Sequence, residues 1–151
     1  MNAAARVVVD LLNTRAHSTV EDTLAATTPG DLELARAVRS DLLALLADPT
    51  DAAHDWAAFT GRVAGVEFRE DFSTPGHVRT VLTAGDPYVG EVVLAVADLV
   101  RAGDWSRIRL CANAPCAHAF YDTTRSRTRR WHSYEICGNR TNVAAYRART
   151  T

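Results

Sequence analysis

Apolar residues return every three to four positions along TTPGDLELARAVRSDLLALLADP, at Leu34, Val38, Leu42 and Leu45. That period puts one apolar stripe on an α-helix. Thr28 as N-cap, Pro29 at the first helical position and Pro49 beyond the end bound this predicted helix. DAAHDWAAFTGRVAG repeats the period through Trp56, Phe59 and Val63 and stops at Gly65, so a helical hairpin is expected. From Val66 the period shortens to two. VEFREDFSTPGHVRTVLTAG alternates through Val66, Phe68 and Phe72, turns at Thr74-Pro75-Gly76 and returns through a β-branched run near Val81, which predicts two antiparallel strands. DPYVGEVVLAVADLVRAG offers Asp86 as cap, Pro87 at the first position, Val89, Val93, Val96 and Val100 at helical spacing and Gly103 as the stop. Its valines favour strand, but a segment bounded by both caps predicts helix. STVEDTLAA carries the Ser18 and Glu21 spacing of a capping box. RVVVDLLNT fits helix and strand alike.

Residues 1–103 therefore read as a mostly helical α+β body with a β-hairpin, without internal repeats. At Asp104 the composition shifts, and residues 104–151 form a second unit with few large aliphatics. A unit of that size cannot bury enough apolar surface to hold itself together, so a metal or docking onto the body is required.

Net charge adds to this division. The whole chain stands at −1, yet residues 1–100 hold 7 Arg against 15 Asp and Glu, and residues 101–151 hold 10 Arg against 3. An acidic body is joined to a basic end, which suits a polyanionic partner or simply one face balancing another. All 17 basic residues are arginine, the better side chain for bidentate phosphate contact. No apolar run approaches the roughly 20 residues that span a bilayer. The opening MNAAARVVVDLLNTR is broken by Asp10 and lacks a cleavage site, so a cytoplasmic protein with no membrane partner is expected.

The three cysteines, Cys111, Cys116 and Cys137, all fall in the basic end, and an odd number suits metal better than disulfides. With His132 they read C-x4-C-x15-H-x4-C. Two short loops each close a ligand pair at little entropic cost, and one zinc ion clips them together. Three thiolates and an imidazole leave no coordination position open, which makes the site structural. His118, two residues after Cys116, is a rival ligand, and buried cysteines acting as small hydrophobes are the bland alternative.

LCANAPCAHAFYDTTRSRTRRWHSYEICGNRTNVAAYRAR resembles the CGNR zinc finger, named for the tetrapeptide that stands here as Cys137, Gly138, Asn139 and Arg140. The resemblance covers roughly residues 107 to 149. In the body, VVVDLLNTR together with the helical order is similar to the ABATE domain that commonly precedes this finger. The resemblance implies a stress-induced transcription regulator. It also marks a departure, because the family usually has Cys where His132 follows Arg129-Arg130-Trp131. A Cys3His set still holds zinc, with one negative charge fewer than four thiolates and with an imidazole that must be neutral to bind.

Between the ligand pairs stand Arg125, Arg127, Arg129 and Arg130, and past them Arg140, Arg147 and Arg149. These are the candidate phosphate contacts to DNA, the alternative being a solvated surface with Arg140 tied to Asp122. Gly138 is expected at positive φ and Asn139 as the cap of a helix through Tyr146. Trp131 and Tyr134 suit either base stacking or a small core around the metal. Trp56 and Trp105 are read as packing residues, and His17, His54 and His77 as ordinary surface or satisfied histidines. Asn13-Thr14-Arg15 fits a turn, or the lining of a pocket for an anionic small molecule. The chain contains no G-x-S-x-G, no H-E-x-x-H and no carboxylate pair beside the ligands, so no enzyme is expected. Two functions follow: a DNA-binding regulator whose body senses a ligand or dimerises, or a zinc-stabilised module for RNA or an acidic protein.

Overall fold

Asn2 decides between helix and strand at the amino terminus. Its side-chain oxygen accepts from the Ala5 amide at 2.8 Å, and helix α1 runs Ala3–Asn13. This computed structural model describes residues 1–17, 20–47, 52–139 and 142–143, with the side chains of 52–55 excepted. After α1 come a single turn, α2 (Leu24–Thr27), then α3 (Leu32–Ala47) and α4 (Ala52–Arg62). Strands β1 (Glu67–Asp71) and β2 (Arg79–Ala84) follow, then α5 (Pro87–Arg101). A 3-10 turn at Trp105–Arg107 leads into β3 (Ile108–Leu110) and β4 (Ala119–Tyr121). This is the α+β architecture expected. None of the described helices is long and apolar enough to cross a membrane.

The core lies where α1, α3 and α5 meet. Val8, Leu11 and Leu12 of α1, Val38 and Leu42 of α3, and Val89, Val92 and Leu99 of α5 are all essentially inaccessible. α2 adds Leu24 and α4 adds Phe59. Ile108 and Ala119, from β3 and β4, belong to this same cluster. The basic end is thus docked on the body through apolar packing.

Asp86 caps α5 as expected, its Oδ1 accepting from the Val89 amide at 2.9 Å. Its Oδ2 also accepts from the Asp31 amide at 2.7 Å. The cap of α3 is therefore Asp31 and not Thr28: Asp31 Oδ1 accepts from the Leu34 amide at 3.0 Å. Proline fixes φ but supplies no acceptor, whereas a carboxylate three residues before the third amide satisfies an orphan donor. The Ser18 of the anticipated capping box, like Pro49, lies outside the described residues. At the start of α2 it is Asp22 that accepts from the Leu24 amide, at 3.0 Å.

β1 and β2 pair antiparallel with Phe68 opposite Leu82 and Glu70 opposite Thr80, and a bulge sits at Glu67. Leu82 rests on Gly90 of α5, where a Cβ would come within 2.8 Å of its methyl carbon. A glycine inside a helix costs up to about 1 kcal/mol relative to alanine, and here it lets the hairpin approach. The alternation does not bury Phe72, which is 73% exposed, because the strand ends at Asp71 and Phe72 belongs to the turn.

Candidate metal centre

β3 and β4 form a short hairpin, Ile108 opposite Tyr121 and Leu110 opposite Ala119. The Cys111 amide extends the ladder by donating to the His118 carbonyl at 2.9 Å. Cys111 and Cys116 thus sit at the tip. The turn between them closes as the Cys116 and Ala117 amides donate to the Asn113 carbonyl at 2.8 and 3.0 Å, with Ala117 at a φ of 46°. The second ligand pair is brought alongside when the Ala112 amide donates to the Arg130 carbonyl at 2.9 Å. Ser133 then caps a turn of π-helix, Tyr134–Gly138, that carries Cys137 inward.

Gly138 does not take the positive φ expected of it: among the described glycines only Gly76, Gly85 and Gly103 do so. Its role is close approach, since a Cβ there would meet the Tyr134 ring at 2.7 Å. Asn139 is itself helical, with φ −63° and ψ −43°, and ends the π turn. Most of the helix anticipated through Tyr146, with Arg140, Arg147 and Arg149, lies outside the described residues.

The donor atoms of Cys111, Cys116, His132 and Cys137 all lie within 4.8 Å of one another. His132 Nδ1 stands 3.4 Å from the Cys116 sulfur and 3.7 Å from that of Cys137. A tetrahedral zinc, with Zn–S about 2.3 Å and Zn–N about 2.0 Å, requires roughly 3.6 Å between sulfur and nitrogen. The cluster fits zinc, with three soft sulfurs and one imidazole filling the shell. Cys111 and Cys137 are buried, and Phe120 and Trp131 pack around them. Trp131 therefore belongs to the small core, while Tyr134, edge-on to it at 5.8 Å, is 56% exposed.

Burial pushes the Cys116 thiol up to about 11, opposed by the His118 backbone and reinforced by Cys137 and Cys111. The cation must displace that proton, so metal uptake releases acid. Burial, then the charge of Arg129 and of His17, holds His132 below the ordinary histidine value. That shift favours the neutral form, which a ligand must have. Arg15 from the body adds a cation close to Cys116: its guanidinium donates to the Ala117 carbonyl, and the two groups interact electrostatically.

His118 stacks on His132 with ring centroids 4.7 Å apart, but both its nitrogens face the body. Asn13 Nδ2 donates to His118 Nε2 at 3.2 Å, and His118 Nδ1 lies 3.2 Å from His17 Nε2. His17 Nδ1 is 2.7 Å from the Arg15 carbonyl. A carbonyl can only accept, which orients one chain of donors: Asn13 to His118, His118 to His17, and His17 to Arg15. Asn13 also pairs with the Ala119 backbone, donating at 3.0 Å and accepting at 2.8 Å. The Asn13-Thr14-Arg15 stretch is thus a clasp on the metal-bearing turn, and His17, read from sequence as unremarkable, is part of it. Thr14 is drawn inward, donating to the Leu11 carbonyl at 2.6 Å and accepting from Arg39 at 2.9 Å. Arg39 forks onto Asp22 at 3.1 and 2.5 Å. These pairings span up to 106 residues, and a polar triplet after an apolar helix was their one local sign.

The arginines of the long gap divide. Arg129 donates to the Trp131 carbonyl at 2.8 Å and to that of His132, and lies over the Phe120 ring at 5.3 Å. Arg127 donates to the Gly103 carbonyl at 3.2 Å. These two brace the unit. Arg125 makes no ion pair or hydrogen bond among the described residues, and Arg130 stacks on Trp131 at 5.2 Å. Asp122 is fully buried, which raises its carboxyl, but bonds from the Thr124 hydroxyl and amide and the Arg129 amide, with the charge of Arg109, outweigh this and hold it low. It organises the gap from inside.

Residues 107–150 match the CGNR zinc finger family. No curated protein matches the chain. The carboxyl-terminal unit is a zinc-binding finger.

Proposed function

We propose that this chain is a cytoplasmic DNA-binding regulator whose finger contacts the phosphate backbone and whose body senses a ligand or dimerises. One arrangement supports the reading: a coordination set closed by four protein donors, with Arg125 and Arg130 exposed on the segment between the two ligand pairs and unmatched by any carboxylate among the described residues. Zinc, when bound, supplies a cross-link. With Cys111, Cys116, His132 and Cys137 as its ligands no position remains for water or substrate, which accords with a non-enzymatic role. The ABATE-like identity of residues 1–103 and the stress-linked role belong to this proposal through the resemblance of VVVDLLNTR.

Arg129 serves two carbonyls within the finger and Arg127 turns to Gly103 and Ser106, into the cleft beside the body, so the proposed phosphate contacts are Arg125 and Arg130, joined by Arg140, Arg147 and Arg149. Five contacts at about 0.9 each give a salt slope near 4.5. Duplex affinity should then fall about 500-fold between 50 and 200 mM salt. Fluorescence anisotropy with the zinc-loaded chain measures this, and Arg125→Gln with Arg130→Gln should lower the slope by about two. Undetectable duplex binding at low salt by metallated, folded protein would end the proposal. A second reading, an interaction module for RNA, draws on Tyr134 and Ile136, which stand 56% and 51% exposed. Exposed rings suit unstacked bases, and tighter binding of single-stranded RNA than of duplex in the same titration would select it.

A further inference from the structure

A cleft of about 540 Å³ opens between the α3–α4 hairpin and β3, walled by Leu45, Leu46, Trp56, Trp105 and Ile108. The two indoles lie 5.4 Å apart at 57°. Its polar lining is Ser106 with two guanidiniums, Arg109 and Arg127. Neither forms an ion pair among the described residues. Arg109 donates to the Arg127 carbonyl at 2.7 Å, and Arg127 to the Gly103 carbonyl at 3.2 Å and the Ser106 hydroxyl at 3.4 Å. The carboxylates nearby are engaged elsewhere. Asp104 takes Arg107 at 3.1 Å and the Tyr121 hydroxyl at 3.0 Å, and Asp122 takes Thr124 and the Arg129 amide. Among the described residues, therefore, two neighbouring cations beside an apolar recess have no carboxylate in direct contact, the charge of Arg109 reaching Asp122 only through space.

We propose that this cleft binds a small aromatic carboxylate, its ring against Trp56 and Trp105 and its carboxylate on Arg109 and Arg127. The volume falls in the range of small-molecule sites, roughly 300 to 1,000 Å³. Indoles favour a flat, polarisable ring, and guanidinium forks match a planar carboxylate in two-point contact. A doubly charged phosphate would lose more hydration against the leucine wall and leave the indoles uncovered. Leu45, Leu46 and Trp56 come from the body and Ile108 and Arg109 from the finger, so one ligand touches both. The site is independent of DNA contact, which uses other arginines.

The test uses the full zinc-loaded chain, titrated by calorimetry with 1-naphthoate and indole-3-acetate. Saturable one-to-one binding is expected, with quenching of indole fluorescence. The uncharged 1-naphthalenemethanol should bind at least about tenfold more weakly, as should naphthoate to Arg109→Gln and to Arg127→Gln, each of which removes a charge-assisted contact. Arg125→Gln, outside the cleft, should bind as the parent does. Zinc content and helical circular dichroism of every variant separate lost binding from lost fold, and Arg127→Lys, which keeps the charge but not the fork, supplies an intermediate affinity. Absence of saturation by either carboxylate at millimolar concentration would overturn the proposal, as would undiminished binding to the two Gln variants. Displacement of naphthoate by an equal concentration of inorganic phosphate would also overturn it, identifying a plain anion site. Duplex affinity measured on the same proteins reports separately on DNA binding.

Discussion

The body and the finger solve the same problem by different means. The body buries aliphatic side chains from three long helices, with Leu11, Leu12, Val38, Leu42 and Leu99 at 1% exposure or less. The finger's own cluster of buried residues is Cys111, Phe120 and Cys137, too small to overcome the entropy of ordering its loops. What the finger lacks in apolar area it replaces with ligand geometry, a carboxylate buried under three donors, and contact with the body. Stability in one region is spread over many equivalent contacts. In the other it is concentrated in a few irreplaceable atoms.

Removing the metal ligands is the sharpest way to separate the two. Cys137→Ala should abolish stoichiometric zinc and unfold residues 108–138, with a loss on the order of the 10 kcal/mol typical of structural zinc. The helical signal should persist with a lowered midpoint, because Ile108 and Ala119 leave the body's core. One equivalent of zinc by metal analysis and an unchanged melt would contradict the division. Leu12→Ala attacks the other side. A fully buried leucine lost to a cavity costs about 2–5 kcal/mol, to be read by denaturant unfolding, while zinc content stays at one equivalent in the folded fraction.

Asn13→Ala probes the seam. It leaves the Ala119 amide and carbonyl without their partners and should cost about 1–3 kcal/mol. Amide exchange should quicken around residues 117–121 more than at β1 and β2, and uniform protection would show that the clasp carries little. Acid gives a smaller, graded effect. Burial first, then neighbouring charge, lowers both His118 and His132 from 6.5. The unfolded chain therefore holds more protons on these rings, so their contribution is complete above pH 6.5 and is lost as pH falls below it toward the depressed folded values. His132→Cys should keep the ion and shift zinc release to lower pH, followed by a chromogenic chelator. Release at an unchanged pH would point to His118 as the controlling group.

Much of this was legible in the chain. The period of α3 and α5, the caps around α5 and the turn at Pro75-Gly76 are local signals, and local signals survive folding. Four candidate ligands could be picked out from spacing because loop closure is itself a local constraint, though spacing alone left His118 as a rival. What spacing could not show was partnership at long range. Thr28 looked like a cap until Asp31 and Asp86 supplied the acceptors. His17 looked isolated because His118 lies 101 residues away. That Arg129 serves two carbonyls could not be read from the chain, because such a guanidinium has no sequence signature. Gly138 invited a conformational reading, whereas the Tyr134 ring four residues earlier requires only that nothing project there.

The seam between the regions bears on how such a protein can be dissected. Cutting after Gly103 would strip Ile108 and Ala119 from the hydrophobic cluster of one fragment and deprive the other of Asn13 and Arg15, the side chains that seat the cysteine turn. Each half expressed alone would present a raw face that the intact chain covers. Affinity, solubility or metal retention measured on such a fragment would report the wound as much as the domain.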